Sequence, residues 1–281
     1  MNVADALAAA RERLGAAGVA DPVREAGSLL AFALSKTSTF LIAHPEYQLT
    51  HTETEIFASS LSRRVAREPF QYIVGHQEFY GLDFEVSPDV LIPRPETEIL
   101  VEDAIAILRD AEEPTFCEIG VGSGCISVSI LCNVQDARGV GVDISSAALA
   151  VAGRNAVTHR VDDRLELRGG DVFAAVSERF DLIASNPPYI PAGEVPGLQR
   201  EVVDFEPHSA LAGGHDGLDI IRLIIAGSPE HLRPHGVLLI EIGYGQSGDV
   251  AELIDPSIWE KPEFLPDLQG VPRVLKVRAR N

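Results

Sequence analysis

Apolar residues recur at helical spacing through the first seventy positions. Val3, Leu7, Ala10 and Leu14 form one stripe, which Gly15 and Gly18 end. Asp21-Pro22 reads as a helix start, an N-cap acid followed by proline at the first helical position. Val23, Ala26, Leu30 and Ala33 or Leu34 then give a second apolar face, and Ile56, Phe57, Leu61 and Val65 predict a third helix over 52–67. The period changes at 79–86, where alternating residues around Gly81 predict a β-hairpin. Another helix opens at about Pro95.

From about Thr115 the pattern becomes strand–helix alternation. Strands are predicted at 116–119, 139–144, 165–168, 181–184, 237–242 and 274–277, with helices over 124–131, after a Ser145 or Ser146 cap, and over 218–225. Such alternation implies a mostly parallel sheet covered on both faces. The expected organisation is a helical domain over 1–73, a hairpin linker over 74–94 and an α/β domain over 95–281.

Charge narrows the function. The 281 residues carry 23 Lys+Arg and 42 Asp+Glu, a formal net charge of −19, which works against a protein whose main task is gripping phosphate backbones. Cys117, Cys125 and Cys132 fall in one segment without metal or disulfide spacing, so reduced, mostly buried thiols are expected. His231 and His235 are separated by Pro234, and no metal site is expected. Met1 to Ala10 has no basic stretch before an apolar block, and no run of about 18 uncharged apolar residues exists. These features predict a soluble cytoplasmic protein without a membrane partner.

Three motifs carry chemistry. Glu118-Ile119-Gly120-Val121-Gly122-Ser123-Gly124 joins a strand to a helix, and its glycines permit a tight turn and close ligand approach. Cys125 holds the position of the third glycine in the dinucleotide fingerprint, so that fingerprint fails. Asp143 ends the next strand, where a carboxylate accepts from two ribose hydroxyls. Asp171 and Val172 follow the third strand, where an adenine edge would lie. These features leave nicotinamide and S-adenosylmethionine open. Asn186-Pro187-Pro188-Tyr189 discriminates between them. The prolines force the chain out of the sheet in a stiff turn that aims the Asn186 side-chain carbonyl and the Pro187 backbone carbonyl into the crevice. Two convergent acceptors suit a planar –NH2 group, and Tyr189 offers it an aromatic face with a cation–π contribution toward a sulfonium.

Glycine loop, strand-end acid and NPPY together resemble the class I S-adenosylmethionine-dependent methyltransferases that act on planar nitrogens. Pro69 to Gly75, Glu78 to Gly81 and Val90 to Glu98 are similar to the linker of the bacterial release factor glutamine methyltransferases. So are Phe205-Glu206-Pro207, Gly213-Gly214, Asp216 to Asp219, Arg222, Glu241-Ile242-Gly243 and Gln246. The resemblance implies a Rossmann-like seven-stranded sheet, and N5-methylation of the glutamine in the Gly-Gly-Gln motif of class I peptide chain release factors. It implies that Glu118 and Gly120 to Gly124 hold the methionine part of S-adenosylmethionine, Asp143 the ribose, and Asp171 with Val172 the adenine. Asn186 and Pro187 then accept the two amide protons in the Pro188-Tyr189 turn, with Tyr189 over the glutamine. Glu118 stands where the family's loop begins with aspartate. The enzyme is expected to be a monomer without direct nucleic-acid contact, its helical domain recognising the protein substrate.

Two enzymes with the same chemistry are the alternatives, a ribosomal-protein glutamine methyltransferase and a DNA adenine-N6 methyltransferase. The latter wants a basic recognition surface, and residues 1–85 hold 7 Lys+Arg against 11 Asp+Glu. A non-catalytic cofactor-binding module is disfavoured because both the glycine loop and Asn186 are intact. Arg63, Arg64 and Arg67 are expected on a solvated helix face, and Arg94 with Glu96 and Glu98 as a salt-bridged helix start or a substrate gate.

Overall fold

Capping chemistry sets the first elements in the computed structural model, which describes residues 1–280. Helix α1 (Val3–Ala16) starts where the Asn2 side chain accepts from the Asp5 N–H, and α2 (Pro22–Leu34) starts at Asp21-Pro22. A short α3 (Ser38–Ala43), outside the predicted set, precedes α4 (His51–Val65), whose Thr50 and Glu53 form a reciprocal capping box. A second short helix, α5 (Phe70–Val74), ends at Gly75. Residues 1–75 form one compact unit together with 199–205. Its core includes Val3, Leu14, Leu29, Leu30, Phe57 and Leu61. Val23 and Ile56, expected inward, face solvent instead, because their neighbours on the helical wheel already fill that core.

The arginine cluster also differs from expectation. Arg64 is 5% exposed, with Nε 2.6 Å from Glu25 Oε2 and Nη2 3.0 Å from Glu201 Oε1. Arg67 pairs with the other Glu201 oxygen at 2.7 Å, and Arg63 pairs with Glu68. The acids that meet this cluster are half-buried residues of the chain itself, so Arg64 and Arg67 are paired inside the unit, while Arg63 keeps the expected solvent exposure.

The second unit takes 76–198 and the residues from 206 onward. Its hairpin, β1 (His76–Phe79) and β2 (Leu82–Glu85), inserts Phe79 and Phe84 into the same core as α6 (Glu98–Arg109). The sheet contains β3 (Thr115–Ile119), β4 (Arg138–Asp143), β5 (Leu165–Gly169), β6 (Phe180–Ser185), β7 (Leu232–Glu241), β8 (Glu263–Pro266) and β9 (Pro272–Arg278). Their spatial order is β5-β4-β3-β6-β7-β9-β8; β9 runs antiparallel to both its neighbours and the remaining pairs are parallel.

Alternation along the strands fills two apolar layers. Phe116, Leu182 and Leu239 point to the layer holding α6, α7 (Cys125–Asn133) and α8 (Ser146–Thr158). Cys117, Ile183 and Leu238 point to the layer holding α10 (Asp219–His231) and α11 (Ser247–Glu252). The intervening α9 (Arg200–Phe205) belongs to the first unit. In the β3–β4 pair Phe116 lies opposite Gly139, where an added Cβ would sit 2.4 Å from the phenyl ring. The glycine is what lets this large ring lie over the sheet.

All three cysteines are free, Cys117 and Cys125 being buried. Among the described residues no helix is long and apolar enough to cross a membrane.

Candidate functional site

The chain passes from β3 to β4 and β5 on one side, then returns through β6 to the other. This reversal opens a crevice at the carboxyl ends of β3 and β6, where α/β sheets bind ligands. Ser185 Oγ donates to Ile119 O at 2.7 Å and ties the two strand ends together. A cavity of about 470 Å³ occupies this position.

Glycines shape its floor. Gly120, Gly122 and Gly124 have φ of +76°, +53° and +80°, a region that side chains rarely tolerate. The Gly120 and Val121 N–H groups donate to Val142 O, and the Gly122 N–H donates to Asp143 Oδ2 at 2.9 Å. The loop therefore contributes mainly shape, since these three donors are engaged by β4. Asp143 uses its other oxygen to accept from the Ser145 N–H, while the Ser145 side chain caps α8. The Ser123 carbonyl is fixed by Asn155 Nδ2 at 2.8 Å.

Glu118, at the foot of the loop, is 1% exposed and accepts from both the N–H and the hydroxyl of Ser127. Burial pushes its carboxyl up to about 8 against those hydrogen bonds, and the Asp143 charge adds to the rise. Across the cavity Val172 holds φ +48°, an unusual conformation for a β-branched residue, beside Asp171.

Asn186 Nδ2 donates to Thr97 Oγ1 at 3.1 Å, and the Thr97 hydroxyl donates to Glu241 Oε2 at 2.6 Å. The Tyr189 hydroxyl donates to the other Glu241 oxygen at 3.2 Å. Among the described residues neither Asn186 Oδ1 nor the Pro187 carbonyl accepts a hydrogen bond. Glu241 is buried, and desolvation pushes it up to about 7 despite its two hydroxyl donors. Burial raises the Tyr189 phenol, and the neighbouring Glu241 adds to the rise.

The turn is braced from behind. Gln246 Nε2 donates to Tyr189 O at 2.9 Å, and Gln246 Oε1 accepts from the Gly243 N–H. A Cβ on Gly217 would approach Tyr189 O to 2.3 Å, so glycine is required for this close approach. Arg94 pairs with Glu206 at 2.6 Å, and Glu98 accepts from the Tyr80 N–H, so the predicted pairing of Arg94 with Glu96 and Glu98 is replaced by a link to the loop after α9.

Glu118, Gly120, Val121, Gly122, Ser123, Asp143, Asp171, Val172, Asn186 and Pro188 all line the one cavity. Gly124, Pro187 and Tyr189 are not among its lining residues: Gly124 caps α7, Pro187 follows Asn186 in the turn, and the Tyr189 side chain points to Glu241. Thr97 also lines the cavity, although sequence reasoning gave it no role in the site. Glu241 was legible only as part of a family motif, although an acid directly after the apolar run Val237 to Ile240 is itself a signal of a functional site.

Comparison with known proteins agrees with this architecture. Residues 5–75 match the family described as PrmC N-terminal domain, and residues 97–203 match Methyltransferase small domain. A release factor glutamine methyltransferase of Cereibacter sphaeroides is 46% identical over 280 residues, covering 99% of each chain. One of Nitratidesulfovibrio vulgaris is 43% identical, covering 96% of this chain and 92% of its own. The structure of a methyltransferase from Pyrococcus furiosus shares the fold at a TM-score of 0.53 and 15% identity, over 83% of this chain and 100% of its own.

Proposed function

We propose a glutamine N5-methyl transfer for this chain, which belongs to the family of release factor glutamine methyltransferases. The donor is S-adenosylmethionine, and the acceptor is the side-chain amide of the glutamine in the Gly-Gly-Gln motif of a class I peptide chain release factor. The observation that carries this reading is the pair of unengaged acceptors, Asn186 Oδ1 and the Pro187 carbonyl, at the mouth of β6.

The residues around the cavity fit the cofactor. A volume of about 470 Å³ lies in the range for small-ligand sites. Asp143 faces it with a carboxylate suited to ribose hydroxyls, Asp171 and Val172 offer a polar and an apolar edge for adenine, and Glu118 offers a buried carboxyl to the cationic methionine end. Gly120 has open space where a Cβ would stand, which suits close approach of the amino-acid part. When bound, S-adenosylmethionine supplies a methyl group on a positively charged sulfur, whose transfer to nitrogen leaves the neutral thioether S-adenosylhomocysteine.

An amide nitrogen is a weak nucleophile because its lone pair is delocalised into the carbonyl. Asn186 and Pro187 each accept one of its two N–H groups, which fixes the nitrogen in line with the methyl and stabilises positive charge as it develops there. Glu241 holds the Tyr189 hydroxyl and Gln246 its backbone carbonyl, which fixes the turn that carries Asn186 and Pro187. As the N–C bond forms and the S–C bond breaks, the methylated nitrogen becomes strongly acidic and releases one proton to water. No strong general base is needed. We assign recognition of the release factor to residues 1–73, whose separate core supports a domain able to present its own surface. The reaction belongs in the cytoplasm, where translation terminates.

Tandem mass spectrometry of the release factor after incubation tests this. One added methyl on the motif glutamine is expected, absent with Asn186→Ala. Methyl on any other residue, or undiminished transfer by the variant, would overturn the assignment.

A further inference from the structure

An asparagine side chain offers an acceptor at one end and a donor at the other, and only one orientation suits an –NH2 substrate. Presenting Nδ2 to the amide would set two donors against each other. Something must therefore hold the side chain the right way round, and the hydrogen-bond directions behind it supply the answer. Above the value of about 7 to which burial pushes it, Glu241 is an ionised carboxylate, which accepts and cannot donate. Glu241 consequently takes the hydroxyl hydrogens of both Thr97, at 2.6 Å, and Tyr189, at 3.2 Å. With its one hydrogen committed to Glu241, Thr97 Oγ1 turns a lone pair toward Asn186, which can satisfy it only with Nδ2, at 3.1 Å. Oδ1 is then left for the substrate.

We propose that Thr97 and Glu241 are positioning residues that lock the Asn186 amide with its oxygen toward the substrate, so that the site selects an –NH2 group. The inference rests on the reading of Asn186 as an acceptor for the glutamine amide. It explains why a buried acid closes β7 directly behind the turn, and why a threonine lines the cavity at the start of α6. The role is directional. Valine fills the space of threonine but offers nothing to Nδ2, whereas serine keeps the hydroxyl.

Two readouts separate the lock from the reaction. The first is NMR of the Asn186 side-chain amide, assigned by its disappearance in Asn186→Ala and recorded at about pH 8, above the value of about 7 to which burial pushes Glu241. Its protons should be protected from exchange in the wild type and in Thr97→Ser, and unprotected in Thr97→Val. The second is steady-state kinetics. Thr97→Val should lower kcat about 10²-fold, as expected for misplacement of a substrate-orienting group, with the cofactor KM nearly unchanged. Thr97→Ser should restore most of the rate. Glu241→Gln, whose carbonyl still accepts from Thr97, should retain more activity than Thr97→Val. An unprotected amide in the wild type, or full activity in Thr97→Val, would overturn the lock. A protected amide in a protein that methylates no glutamine would instead overturn the substrate reading.

Discussion

Glu118→Gln exchanges a buried titratable carboxyl for an amide of nearly the same shape at the foot of the glycine loop. Wild-type Glu118 is pushed up to about 8 by burial, whereas a glutamate in an unfolded chain titrates near ~4.3. Between those values the folded state keeps a proton that the unfolded state has released. Stability is therefore fully present below the unfolded value, declines as pH rises through the window, and levels off above about 8. One group contributes a slope of up to about 1.4 kcal/mol per pH unit. Glu241, pushed up to about 7, acts in the lower part of the same window, so the interval from 7 to 8 reports mainly on Glu118. The chain's single tryptophan, Trp259, is buried in the second unit and reports its unfolding by fluorescence. Urea titrations of the ligand-free protein should show the wild type losing about 1 kcal/mol more than Glu118→Gln between pH 7 and 8, the variant keeping only the smaller slope that Glu241 contributes. Equal slopes in the two proteins, or stability that rises with pH, would refute the argument. Because the cofactor is cationic and favours ionised Glu118, its affinity should also tighten as pH rises toward 8 in the wild type and not in the variant.

Arg64→Ala leaves Glu25 without its cation and Glu201 with Arg67 alone, and should destabilise the helical unit by about 3–5 kcal/mol in denaturant titrations followed by circular dichroism. Converting Arg64, Glu25 and Glu201 to apolar side chains of similar volume should recover most of that loss. Gly139→Ala drives a Cβ against the Phe116 ring and should cost about 1–3 kcal/mol in the same titrations, a loss that Phe116→Leu should relieve. Asp143→Ala removes the clamp on Gly122 as well as a ribose acceptor. Calorimetry should show cofactor affinity reduced about 10- to 100-fold, from hydrogen bonds to a charged group worth about 1.5–3 kcal/mol.

Much of the architecture is written locally. The Asp21-Pro22 start and the glycine loop declare themselves because caps and positive φ angles impose residue identity over a few positions. Six strands are visible as apolar runs. The seventh, β8, is a four-residue edge strand ending at Pro266, with half-buried Phe264 and Leu265, and offers no contrast against a loop. Helices α3 and α5 are too short, at six and five residues, to show a period. Long-range pairings are invisible to spacing: Arg64 meets Glu201 across 137 positions, and Thr97 meets Glu241 across 144. The NPPY turn was legible for the same local reason as the glycine loop, while the residues that orient it were not.

The central claim is that Asn186 accepts a glutamine amide proton during methyl transfer, and the direct measurement is transfer of label from S-adenosylmethionine. A purified class I release factor, its Gly-Gly-Gln→Gly-Gly-Ala version, a ribosomal-protein glutamine substrate and duplex DNA are offered side by side. The account predicts label on the intact release factor alone, abolished by Asn186→Ala in this chain. Label on DNA or on the ribosomal protein, or on the release factor regardless of its glutamine, would contradict it.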